Sequence, residues 1–163
     1  MFQTIVYIKF EPILRYGAGI WGTNEYNHLN TVQNKAARFI LGVPKTTDNL
    51  ATQGDLGWTS WFCKQKVEVI RLWLRLKKMD PTRITVKVFK YSYTKAITTR
   101  IKNWERSVID MFHTLNLQYL VNVDNFDTKL LLHDCKQKLY ELECQKWKTE
   151  LFDDKNLDNG RKL

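Results

Sequence analysis

The sequence predicts an all-α chain, an irregular bundle of about six to seven helices. Two observations point to this class. Apolar residues recur at three- and four-residue spacing along most of the chain, the period of a helix that buries one face. Glycine and proline fall at the ends of those windows, at Gly22, Gly42, Pro44 and Pro81, where they punctuate helices. Strand-like alternation is confined to Ile84 to Tyr93, where ITVKVFKY suits a strand as well as a helix.

Pro12 fits the first turn of a helix running to about Trp21, with Ile13, Tyr16, Gly17 and Ile20 along one side and Gly22 as its stop. Thr23 or Asn24 can cap a second helix to about Leu41. In it Leu29, Val32, Ala36, Phe39 and Ile40 keep helical spacing, Gln33, Lys35 and Arg38 face elsewhere, and Gly42 and Pro44 end it. Ser60 can cap a long helix to about Met79, closed by Asp80 and Pro81. Shorter helices are expected at about Arg83 to Ala96, with strand left open over 84–93, and at about Asn103 to Leu115. The last runs from about Thr128 to Leu151, where Leu131, Leu132, Cys135, Leu139 and Leu142 form one stripe. The resulting division is a basic helical domain over 1–115, an amphipathic helix within 116–152 packing on it, and a flexible tail over 153–163.

A chain of 163 residues with 44% apolar content and six Trp has enough material for a core. Its net charge of +9 is unevenly placed: residues 1–100 hold 16 Lys and Arg against 6 Asp and Glu, and residues 101–163 hold 10 against 11. The basic part suits a polyanionic partner, nucleic acid before membrane, although such surfaces also serve solubility. Three widely spaced cysteines, Cys63, Cys135 and Cys144, give no disulfide framework and imply an intracellular setting, nucleus or cytoplasm left open. The longest uncharged run, Met111 to Val123, is too short and polar to span a bilayer, and the N-terminus lacks a basic lead, so neither secretion nor membrane insertion is expected.

Leu41 to Trp58, LGVPKTTDNLATQGDLGW, raises the question of a phosphate loop because glycines accompany Lys45. A P-loop needs glycine directly before its lysine, so that successive amides surround the phosphates. Lys45 instead follows Pro44, which has no amide hydrogen, and Gly54 and Gly57 do not make a GxGxxG pattern. The stretch reads as turn, short helix, turn, with Thr47 as cap, Asp48 at the positive helix start, and Gly54 and Gly57 letting the chain turn out.

Other chemistry is missing as well. There is no GxSxG or HExxH, and His28, His113 and His133 lie far apart. His133, Cys135 and Cys144 do not converge on one predicted helix, so a core thiol and a surface thiol are read there rather than zinc ligands. Asp124 and Asp127 are read as helix-capping residues. No cofactor or metal is implied.

Basic helical surface remains. On the helix from Trp61, Lys64, Arg71, Arg75 and Lys78 fall within about 60° of one another at the helical repeat, and Lys35, Arg38 and Lys45 add charge near the preceding helix end. Two readings stay open. The stripe can contact a duplex or hybrid backbone without reading sequence, or it is an ordinary solvated face, which Glu68 interrupts.

PILRYGAGIWG at 12–22, VQNKAARFILGVPKTTDNLATQGDLGW at 32–58 and RLWLRLKKM at 71–79 resemble the region after the polymerase core of LINE-type, non-LTR retrotransposon reverse transcriptases. That family has, in order, P-x-x-x-Y-G ending in W-G, then V-Q-x-x-A-x-R, G-x-P-K-x-T-P, E-L-G-W, and an Arg-rich helix with W-x-R-L. The resemblance covers about residues 5 to 110. Asp48 replaces the proline common there, and Asp55 replaces the glutamate. The metal-binding palm turn of such an enzyme, an aromatic residue followed at one remove by two aspartates, is missing; the only Asp-Asp pair is Asp153 and Asp154 in the polar tail.

The resemblance therefore implies a polymerase thumb with its C-terminal extension, non-catalytic alone. Its implied partners are the backbone of an RNA/DNA hybrid or duplex and the palm of a parent polyprotein. Lys35, Arg38, Lys45, Arg71 and Arg75 are the backbone contacts it implies. A helical protein-interaction module, or a domesticated or non-functional retroelement remnant, is the competing expectation.

Overall fold

The computed structural model describes residues 11–99 and 101–160, with side chains through residue 150. Among the described residues there are nine helices and no strand: α1 (Glu11–Arg15), α2 (Ala18–Trp21), α3 (Asn27–Leu41), α4 (Asn49–Leu56), α5 (Trp61–Lys78), α6 (Ile84–Thr98), α7 (Trp104–Thr114), α8 (Tyr119–Asn122) and α9 (Thr128–Gly160). The all-α class holds, but six to seven was too few. Gly17 takes a left-handed conformation, φ +67°, and splits the first expected helix in two. The four-residue α8 is too short to show a period.

The ambiguous stretch at 84–93 is helical. Val86, Phe89 and Ala96 are its buried residues, at spacings of three and seven, so packing at the helical period overrides the β-branched composition. The long α5 matches its expected bounds closely, and Ser60 Oγ accepts from the Cys63 amide at 3.2 Å as the expected cap. Asn103 caps α7 through the Arg106 amide at 2.9 Å. Asp127 caps α9 through the Lys129 and Leu130 amides at 2.7 and 3.0 Å.

Four local expectations are corrected. α3 begins at Asn27 behind Tyr26 with no side-chain cap, rather than at Thr23 or Asn24. Asp48, not Thr47, caps α4, its Oδ1 accepting from Leu50 and Ala51. Gly54 lies inside α4, while Gly57, φ +63°, ends it. The backbone of α9 continues past Leu151 to Gly160, through residues expected as tail.

The described chain forms two compact units that do not follow the sequence division: one holds 11–13, 26–64 and 137–160, the other 14–25 and 65–136. Residues of α5 and α9 belong to both.

The second unit is organised around Trp73, which is fully buried. Its indole meets Phe89, Tyr93 and Phe112 edge-on at 5.3, 5.8 and 5.4 Å between ring centroids, and its N–H donates to the Leu120 carbonyl at 3.2 Å. Each such ring pair adds about 0.5–1.5 kcal/mol beyond area burial, so one residue of α5 fastens α6, α7 and α8. Gly19 and Gly22 let α2 approach α5 closely: added Cβ atoms would stand 3.0 Å from Leu72 Cβ and 3.1 Å from Gln65 Cβ.

In the first unit polar contacts join α3 to its neighbours. Gln33 Nε2 donates to the Thr59 carbonyl at 2.7 Å, Gln53 Nε2 to Asn34 Oδ1 at 2.6 Å, and the Trp61 amide to Asn30 Oδ1 at 2.8 Å. These contacts set the orientation of α3. Leu29, Gln33 and Ala37 are buried, whereas Val32 and Phe39, expected on the core face, are exposed.

Candidate nucleic-acid interface

The seven cations singled out by spacing have different surroundings. In the first unit, Lys35 is exposed on α3 and Lys45 is exposed in the turn after it. Gly42, φ +67°, ends α3 in a left-handed cap, and Pro44 accepts the Thr47 amide at 3.1 Å, so Lys45 projects from a fixed turn. Arg38, between them, braces that turn: Nε donates to the Thr47 carbonyl at 3.0 Å and Nη2 to Asn49 Oδ1 at 2.6 Å.

Lys64 shares the helical row of Arg71 and Arg75 but is enclosed. Its side chain is only 16% exposed, its ammonium lies 3.7 Å from Glu11 Oε2, and it stands 5.8 and 5.4 Å from the ring centroids of Trp58 and Trp61. Burial of that kind demands a counter-charge and an electron-rich face, and both are supplied inside the unit.

In the second unit, Glu68 accepts both Arg15 and Arg71. The acid that seemed to interrupt the stripe ties α1 to α5, and Arg71 is held while remaining 44% exposed. One turn on, Arg75 is exposed and makes no hydrogen bond or ion pair among the described residues. Lys78 is exposed, with its ammonium 5.5 Å from the Phe126 ring centroid. Both cations complement the negative end of α5, which explains their stability at that end and leaves their outward charge available.

Spacing alone did not single out Lys77. It turns inward and donates to the Val121 and Val123 carbonyls at 2.5 and 2.9 Å, with Asp124 at 3.8 Å. Burial lowers its pKa, and Asp124 opposes that shift. A second basic feature, missed although legible, is the run from Pro81 to Trp104, which holds no acid and six Lys or Arg. It supplies exposed Lys87, Lys90 and Lys95 on α6.

Cys135 is fully buried and Cys144 half-buried on α9, and among the described residues no group of three or more His, Cys, Asp or Glu could hold a metal ion. Among those residues no helix is long and apolar enough to cross a membrane. Among the described residues all regular structure is helical, and exposed cations stand on α3, on the turn after it, on α5, on α6 and on α9. No family model, no curated protein and no solved structure matches the chain.

Proposed function

We propose that this chain is a thumb and post-thumb segment of a non-LTR retrotransposon reverse transcriptase, and that it contacts the backbone of a template-primer duplex or RNA/DNA hybrid without performing chemistry itself. The ordered motifs between Pro12 and Met79 support the origin. One observation carries the binding reading: Arg75 and Lys78 stand exposed one turn apart on the outer side of α5, with Arg71 half-exposed beside them. Such charges gain energy by releasing counterions from a phosphate backbone, and they position a strand without reading its sequence. Lys35 and Lys45 are the corresponding candidates in the first unit. Arg38 and Lys64 are assigned to bracing the fold.

A palm-facing role for α1 and α2 is supported by Tyr16 and Ile20, 86% and 67% exposed. The same exposed residues also suit the second reading, a helical module that docks on another protein. Salt separates the two: phosphate contact weakens steeply as salt rises, whereas apolar docking does not. Anisotropy of a labelled RNA/DNA hybrid across a salt series tests the first reading directly.

A further inference from the structure

The outer side of α6 combines an exposed apolar stripe with a row of lysines on one flank. Ile84, Val88 and Tyr91 are 77%, 61% and 64% exposed, and their spacing of four and three puts them within about 60° on one face. The buried residues Val86, Phe89 and Ala96 lie on the opposite face, so this stripe is surplus to the core. Lys95 Nζ lies 4.6 Å from the centroid of the Tyr91 ring, at the end of the stripe. Lys87 and Lys90 both fall on one flank of it, about 60–120° round the helix, and the other flank carries Thr85 and Ser92. α6 has no acidic residue.

We infer that this face is a docking surface for an amphipathic helix of a protein partner, one with an apolar ridge at matching spacing and acidic residues along a single flank. Charge complementarity sets that choice. A one-sided lysine row beside an apolar stripe fixes both the sign and the orientation of what lies against it. Ile84 and Val88 offer neither the stacking platforms nor the hydrogen bonds by which nucleic acid is held, and the one aromatic ring of the stripe, Tyr91, already carries Lys95 over its face. A membrane-surface helix needs a broad apolar face, but the other side of α6 is used by its own core.

The test uses the full chain and a labelled helical peptide with leucines at i, i+4 and i+7 and glutamates along one flank. Saturable binding is expected, weakened about tenfold or more by Val88→Glu and by Ile84→Ser, the size usual for an interface anchor. Arg75→Glu leaves peptide binding unchanged, which keeps this surface distinct from the hybrid contact proposed on α5. A peptide with lysines in place of the glutamates does not bind. Circular dichroism and a melting curve establish that each variant folds, and the two substitutions at independently exposed positions guard against one failing. No saturable binding, equal binding by the Val88→Glu chain, or equal binding of the lysine peptide overturns the inference. So does a Val88→Glu chain that keeps the peptide but loses RNA/DNA hybrid, or loses phosphatidylserine vesicles.

Discussion

Arg38 fastens the end of α3 to Thr47: its Nε donates to the Thr47 carbonyl at 3.0 Å, while Nη2 reaches Asn49 Oδ1 at 2.6 Å. This fork makes the residue a brace. Arg38→Ala is expected to cost about 1–2 kcal/mol, the scale of a partly exposed charge-assisted pair, with hybrid affinity unchanged. Arg38→Lys restores little, because one ammonium cannot supply two directed donors. Chemical denaturation and hybrid binding check this together; unchanged stability with weakened binding would make Arg38 a ligand contact.

Gly54 is a packing glycine. A Cβ there would stand 3.1 Å from Trp147 Cζ2, and the indole is pinned because its N–H donates to the Leu50 carbonyl at 3.1 Å. Gly54→Ala therefore fails to deliver the gain of about 1 kcal/mol expected inside a helix. In a Trp147→Ala background the same change stabilises. A double-mutant cycle measures the coupling, and additivity would show that the ring yields freely.

Lys64 serves the fold. Its enclosure by Glu11, Trp58 and Trp61 predicts that Lys64→Met leaves hybrid affinity and its salt slope unchanged, because the ammonium does not reach solvent phosphate. A fall in the slope of about one unit, the signature of a lost phosphate contact, would place Lys64 in the interface.

Asp127 makes α9 sensitive to acid. Amides of Leu130 and Lys129 hold its carboxyl below the ordinary value of 3.8, with Lys78 and Lys129 contributing. A lowered folded pKa means the cap's stabilisation is complete above the unfolded value and is lost as pH falls through the folded one. The stability difference between the native chain and Asp127→Ala should be constant at neutral pH and shrink below about pH 4. A pH-independent difference in melting temperature would contradict the cap's charge contribution.

Where a helix buries one broad apolar face, the sequence was enough: α5 could be bounded by Ser60 and Met79 because Val67, Ile70, Trp73 and Leu74 repeat at helical spacing. The face of α3 could not be read. Its buried side is fixed by amides at Asn30, Gln33 and Asn34, and hydrophobic periodicity is blind to polar packing. Cations were legible only as directions. Lys64 and Arg75 share one helical row, yet Glu11 and the Trp58 ring distinguish them, and spacing along α5 carries no information about partners brought from elsewhere in the chain. Gly54 likewise looked like a turn residue because Trp147, the reason for it, lies far along the sequence.

Hybrid binding is proposed to rest on the outward charge of α5. The most direct measurement is the salt dependence of RNA/DNA hybrid binding by the native chain, by Arg75→Ala, by Arg75→Ala with Lys78→Ala, and by a control, Lys136→Ala, at an exposed lysine of α9. Affinity is expected to fall steeply with salt, and each removed contact to lower the slope of log affinity against log salt by about 0.7–0.9. The control should match the native chain. Equal slopes in all four proteins, or binding that ignores salt, would contradict the proposal and leave the stripe as a solvated face.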